Sequence, residues 1–135
     1  MNAEDLKRFF DRDKFAEYNG IKLLEAADGH ARSSMPVTPQ HLNGLGIVHG
    51  GALFALADFT FAAASNSRGN VAVAINANIS YMKAVSSGLL FADAREISVN
   101  PKIGTYTIDV TNEAGDLLAV FQGMVYRKKE KVEDL

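Results

Sequence analysis

The sequence predicts an α+β domain in which one curved antiparallel sheet of five to six strands wraps around one long central helix, with a short helix before it. Three observations carry that prediction. Residues 52–64 are apolar except for Asp58 and Thr60, and a helix that is apolar on every side has to be buried on nearly all of them. After Gly69 the apolar spacing changes from helical to a period of two. The links between the later segments are short, which favours antiparallel neighbours.

Each element follows in chain order. Residues 3–18 place Leu6, Phe9, Phe10, Phe15 and Tyr18 among charges at roughly helical spacing, and Asn19-Gly20 supplies a stop, so one short amphipathic helix is expected. Residues 21–27 and 30–36 flank Asp28-Gly29, a pair that tolerates the two positive φ angles of a type I′ hairpin. Pro39, Asn43, Gly44 and Gly46 mark residues 36–48 as a loop leading to His49-Gly50-Gly51 and the apolar helix, which Gly69 closes. Ile75, Ala77, Ile79 and Tyr81 then alternate with Asn76, Asn78 and Ser80 as a half-buried strand. Residues 89–99 form another strand, followed by the loop Asn100-Pro101-Lys102. Tyr106, Ile108 and Val110 alternate in the next, and the turn at residues 112–116 leads to a last strand over residues 117–126.

At 135 residues and 47% hydrophobic content the chain fits a single domain, with its core over residues 21–126 and a frayed tail at 127–135. The net charge of -2 offers no overall positive field, which argues against nucleic acid as a partner. The longest apolar run is too short for a membrane span, which needs about 20 residues. With no cysteine there is no disulfide, thiol nucleophile or thiolate metal site, and the polar, acidic first residues do not resemble an export signal. A cytoplasmic protein is expected.

An ionised carboxylate in an apolar setting is costly, so Asp58 needs a reason. The helix start at Gly50 and Gly51 supplies one: its unpaired N–H groups and positive dipole end suit an oxyanion, and glycine lets a substrate come close. Gly-Gly is equally compatible with tight packing of helix on sheet. Asp58 suits a nucleophile or a general base, or else a structural carboxylate. Eight residues of helix separate it from Gly50, about 12 Å, too far for both to serve one carbonyl within a chain. If both act, they come from different subunits of a two-fold dimer. Asn43 can hold water or the carbonyl, or simply make a turn before Gly44. His49 is expected to fix the loop and the Gly50 amide by hydrogen bonding rather than to transfer protons, and His41 to be structural or exposed. The spacing of His41, His49 and Asp58 fits no metal motif, and no G-x-S-x-G elbow occurs.

The run Asn43-x-x-Gly46-x-x-His49-Gly50-Gly51, with Leu56-Ala57-Asp58, residues 78–82 and residues 119–123, resembles hotdog-fold thioesterases of the phenylacetate-pathway, PaaI-like, type. The resemblance implies hydrolysis of an acyl-CoA thioester without a metal or redox cofactor, CoA entering only with the substrate. Asp58 would be nucleophile or general base, the Gly50 amide the oxyanion donor, Asn43 the group orienting water or substrate, and His49 the loop support. Sites at dimer interfaces and a homotetramer built from dimers are also implied. Gly51, Tyr81, Lys83, Asn100 and Lys102 are the expected substrate-binding residues, the two lysines as phosphate partners or as plain surface charges. Two features depart from the family pattern: Ala74 stands where relatives carry a hydroxyl, with Asn76 as the nearest substitute, and no proline follows Tyr81-Met82. A non-catalytic acyl-CoA binder and an enoyl-CoA hydratase or dehydratase are the alternative readings, the latter lacking a clear second acid-base group beyond His49.

Overall fold

The computed structural model describes residues 2–135. The amino-terminal stretch forms two helices rather than the expected one. α1 (Ala3–Phe10) opens on a capping box between Asn2 and Asp5 and buries Leu6 and Phe10, one helical turn apart. It stops at Asp11, and Asp13 starts α2 (Lys14–Tyr18) by accepting the Ala16 N–H at 2.9 Å. A carboxylate that satisfies a free helix-start N–H prefers to begin a helix than to sit inside one. That preference divides the segment.

β1 (Lys22–Ala27) and β2 (His30–Pro36) make the expected hairpin, with φ of 52° at Asp28 and 84° at Gly29. After a short 3-10 turn (Pro39–His41) comes α3 (Gly50–Asn66), followed by β3 (Asn70–Tyr81), β4 (Leu89–Val99), β5 (Ile103–Thr111) and β6 (Leu117–Lys131). The strands form one antiparallel sheet in the order β1-β2-β4-β5-β6-β3, and α3 lies across its concave face. This is the hotdog architecture. Met35, Leu56, Leu90, Ile108, Leu118 and Phe121 are fully buried between helix and sheet. Phe61 lies so flat on β6 that a Cβ on Gly123 would sit 2.6 Å from its ring. No helix among the described residues is long and apolar enough to cross a membrane.

Three expectations are corrected. Residues 127–131 continue β6, and Val132 beyond them is buried, its N–H donating to the Gly69 carbonyl at 2.8 Å, so this tail is folded rather than frayed. β3 is an edge strand exposed along most of its length, with a bulge between Ala74 and Asn76 that takes Ile75 out of the alternation. Ala77, Ile79 and Tyr81 keep the helix-side register beyond it, opposite Gly123, Phe121 and Ala119. Finally, α3 is not covered all round: Gly51, Ala55, Asp58 and Ala62 follow one another at helical spacing along a side that the sheet leaves open. Asp58 and Gly51 are exposed there.

Candidate functional site

The start of α3 is fixed by two histidines, each accepting a backbone N–H at Nδ1. His49 is the N-cap, taking the Gly51 N–H at 2.8 Å, and its own N–H donates to the His41 carbonyl at 2.7 Å. The buried His41 ring takes the Thr38 N–H at 3.0 Å. The Gly51 N–H is therefore already engaged. The Gly50 N–H has no hydrogen-bond partner among the described residues, and it sits where the helix dipole favours negative charge. His49 supports the loop, as expected, through Gly51 rather than Gly50.

Gly50 has a packing reason as well. The Tyr81 hydroxyl donates to the Gly50 carbonyl at 3.0 Å, and a Cβ on Gly50 would stand 3.0 Å from the tyrosine ring. Tyr81 thus clamps the peptide from the end of β3. Asn43 divides its side chain between two tasks. Its Oδ1 accepts from the Leu45 and Ile47 N–H groups at 2.9 and 3.3 Å, which fixes that atom as the oxygen and shapes the loop. Its Nδ2 has no partner among the described residues and is free to donate. Asn43, Gly50 and Tyr81 line one cleft of about 300 Å³, whose apolar wall is Ile47, Leu53 and Val85. Phe59 and Phe61 are core residues of their own chain.

Lys83 reaches the same cleft, with its ammonium 2.9 Å from Asp116. Asn100 and Lys102 lie elsewhere. The Lys102 carbonyl accepts from Arg127 N–H, and Arg127 pairs with Ala72 at the far end of β3, roughly 30 Å from Tyr81 along the strand. One chain does not bring Lys83 and Lys102 together. Asn76 shares an outer groove of the sheet with Thr107 and Gln122, so it does not replace a hydroxyl on the helix side at Ala74.

Asp58 lines no part of the Gly50 cleft, as the helix spacing requires. It has no hydrogen bond or ion pair among the described residues. Although solvent reaches it in the single chain, the protein around it removes enough water to push its carboxyl above the usual carboxylate range, and Asp13 adds repulsion. Sequence reasoning missed Asp13, because a single helix was drawn through it; the spacing Asp13 to Ala16 is the helix-start signature that would have found it. Within one chain the chemistry is thus split. One end of the open side holds an amide and Asn43, and Asp58 stands two turns away.

Residues 45–119 match the family model described as the thioesterase superfamily, which spans the helix start, Asp58, Tyr81 and Lys83. The chain belongs to the thioesterase superfamily. The acyl-coenzyme A thioesterase PaaI of Escherichia coli is 36% identical over 119 residues, covering 87% of this chain and 85% of that one. A protein of Archaeoglobus fulgidus is 43% identical over 122 residues, covering 90% and 79%. The structure of the PaaI protein from the phenylacetic acid degradation operon of Escherichia coli superposes with a TM-score of 0.91 at 32% identity over 95% and 94% of the two chains. This thioesterase is a PaaI-like thioester hydrolase with the hotdog fold, as the motif around His49-Gly50-Gly51 implies.

Proposed function

We propose that this thioesterase hydrolyses acyl-CoA to the free acid and CoA at a site shared between two copies of the chain. The observation that carries the reading is the unpartnered Gly50 N–H at the start of α3, facing a cleft with the free Nδ2 of Asn43. The thioester carbonyl accepts from the Gly50 N–H, which stabilises the oxyanion as the tetrahedral intermediate forms. Asn43 donates to that oxygen or to the attacking water. Asp58 of a second copy either takes a proton from water as it attacks the carbonyl carbon or attacks that carbon itself, and in both routes it works ionised near neutral pH. The C–S bond then breaks and CoA leaves as the thiolate, to be protonated by solvent; in the nucleophilic route this leaves an acyl–Asp58 anhydride, which water hydrolyses to the free acid and the regenerated carboxylate.

Two features support a second copy. The open stripe around Asp58 and the exposed edge β3, with Val73 and Ile75 at 44% and 53% exposure, are surfaces that a stable chain covers. Two α3 helices set side by side and antiparallel bring each Asp58 toward the other chain's Gly50, and such dimers pair into a tetramer. CoA phosphates then meet Lys102 and Lys83 from different chains. We assign the enzyme to the cytoplasm, a reducing compartment that its cysteine-free composition suits.

The test is thiol release from a panel of aromatic, short-chain and long-chain acyl-CoAs, assayed on the wild type and Asp58→Ala. Turnover of at least one class by the wild type, lost in the variant, is expected; undiminished turnover by Asp58→Ala would remove Asp58 from the reaction. In single-turnover hydrolysis in ¹⁸O-water, product acid without label identifies the nucleophilic route, its new oxygen coming from Asp58 as the anhydride opens at the aspartyl carbon, whereas a general base always delivers label.

A further inference from the structure

Tyr81 lines the Gly50 cleft, yet it has no proton to offer a substrate there. A tyrosine hydroxyl carries one, and the Gly50 carbonyl takes it at 3.0 Å. The thioester carbonyl and the phosphates of CoA are acceptors, so they gain nothing from this hydroxyl. The tie of Tyr81 to the site is to its backbone, and it is close: a Cβ on Gly50 would stand 3.0 Å from the hydroxyl oxygen and from the ring carbon that bears it.

The bond completes a set that fixes the peptides on either side of Gly50. In the first, the His49 carbonyl accepts from the Ala52 and Leu53 N–H groups at 2.9 and 3.3 Å. Because a peptide is planar, holding that carbonyl aims the Gly50 N–H on its opposite side. In the second, the Gly51 N–H is held by His49 Nδ1 at 2.8 Å and the Gly50 carbonyl by Tyr81. Gly50 has no side chain to restrict its dihedrals, so the two planes keep their angle only while both are held. Three of these four holds belong to α3 and its own cap, and they move with it. The fourth comes from the end of β3, and the residues that follow, Met82 to Val85, wall the same cleft. Val85 also accepts the Val48 N–H at 2.8 Å, so this segment grips the chain on both sides of His49.

We propose that Tyr81 is a positioning residue of the reaction, which through its bond to the Gly50 carbonyl holds the Gly50 N–H aimed at the place where the thioester oxygen gains charge. This rests on the reading that the Gly50 N–H is the oxyanion donor. A donor fixed beforehand stabilises the transition state without reorganising as the charge develops. Losing the hydroxyl therefore slows the chemical step and leaves ground-state binding of CoA as it was.

Tyr81→Phe keeps the ring and removes only the hydroxyl. It is compared with wild type by the single-turnover rate of thiol release, KM, the Kd of CoA and thermal unfolding, on the acyl-CoA that the wild type turns over fastest. The expected result is a rate constant lower by about 2- to 10-fold, the effect of one net hydrogen bond, with KM, Kd and Tm at wild-type values. An unchanged rate constant overturns the inference: a lowered Tm then leaves Tyr81 a structural role, and a raised KM and Kd a substrate-binding one. Gly50→Pro tests the reading beneath it by removing the N–H. Proline suits the first position of a helix, and His49, at φ -59° and ψ 137°, already has the extended backbone that precedes a proline. Loss of turnover is expected. Full turnover by folded Gly50→Pro would remove Gly50 from the reaction and Tyr81 with it, whereas a full rate in Tyr81→Phe alone leaves Gly50 in its role.

Discussion

Thr60 and Asp58 are the two polar side chains of the central stretch of α3, and they are treated in opposite ways. The buried Thr60 hydroxyl lies 2.7 Å from the Leu56 carbonyl and 2.9 Å from the Ser33 hydroxyl, which is how a structural polar group is made harmless. Asp58 has no such partners and stands on the open side with its proton affinity raised. A carboxyl raised in the folded state favours folding while protonated, and that contribution is lost as pH rises through the folded pKa. Ionised Asp58 is therefore a liability near neutral pH. Asp58→Asn is expected to lower kcat/KM by about 10²–10⁴-fold, as loss of an acid-base group does. The same variant should melt higher than wild type near neutral pH and lose that advantage in acid, where the carboxyl is protonated in both states. Thermal unfolding at the two pH values checks this, and equal Tm differences at both would contradict it.

At the scale of elements, the far end of α3 is anchored by Glu96 on β4. Arg68 donates to it at 2.9 and 2.8 Å and to the Asp28 carbonyl at 3.3 Å, and the Tyr106 hydroxyl of β5 donates to it at 2.8 Å. The helix end, the β1–β2 turn and two strands meet at one carboxylate. The hydrogen bond from Arg68 holds Glu96 below the usual range, so its contribution is present above the unfolded pKa and lost as pH falls through the folded one. Glu96→Gln should cost about 1–3 kcal/mol near neutral pH, shrinking in acid, as read by urea unfolding. Gly123→Ala drives a Cβ into the Phe61 ring and should cost about 1–3 kcal/mol by overpacking, with α3 displaced from β6. Differential melting checks it, and a neutral Gly123→Ala would show that Phe61 yields without cost.

These elements also mark how far the sequence could be read. The Asp28-Gly29 hairpin and the strand at residues 89–99 were legible because local chemistry decides them: turn dihedrals in one case, a run of strand formers bounded by turn residues in the other. The break at Asp13 was not, because a charged residue on an amphipathic helix looks the same whether it faces water or caps a new helix. Arg127 to Lys131 read as a polar tail because their strand is held by pairing with β3, residue pairs separated by more than fifty positions. The apolar pattern of α3 showed a core helix but not which side stays open, since a subunit can cover a stripe as well as a sheet can. Gly50, Asn43 and Asp58 could be singled out as candidates from the sequence, yet the clamp of Tyr81 on Gly50 and the break of the first helix at Asp13 needed coordinates.

At the scale of the whole molecule, the proposed function requires one chain to hold halves of two different sites. The amide of Gly50 and the free Nδ2 of Asn43 occupy one cleft, and Asp58 stands about 12 Å along the helix on an uncovered stripe. The proposed two-fold pairing with antiparallel α3 helices would resolve the split and give each dimer two equivalent sites. The most direct measurement is complementation between two inactive variants, Asp58→Ala and Gly50→Val, mixed under conditions that exchange subunits, with the mixed dimer verified by mass. Each mixed dimer should contain one site with both defects and one with neither. Random exchange is then expected to restore about a quarter of wild-type activity. Verified mixed dimers without activity, or a wild-type monomer that turns over at the full rate, would contradict the shared site.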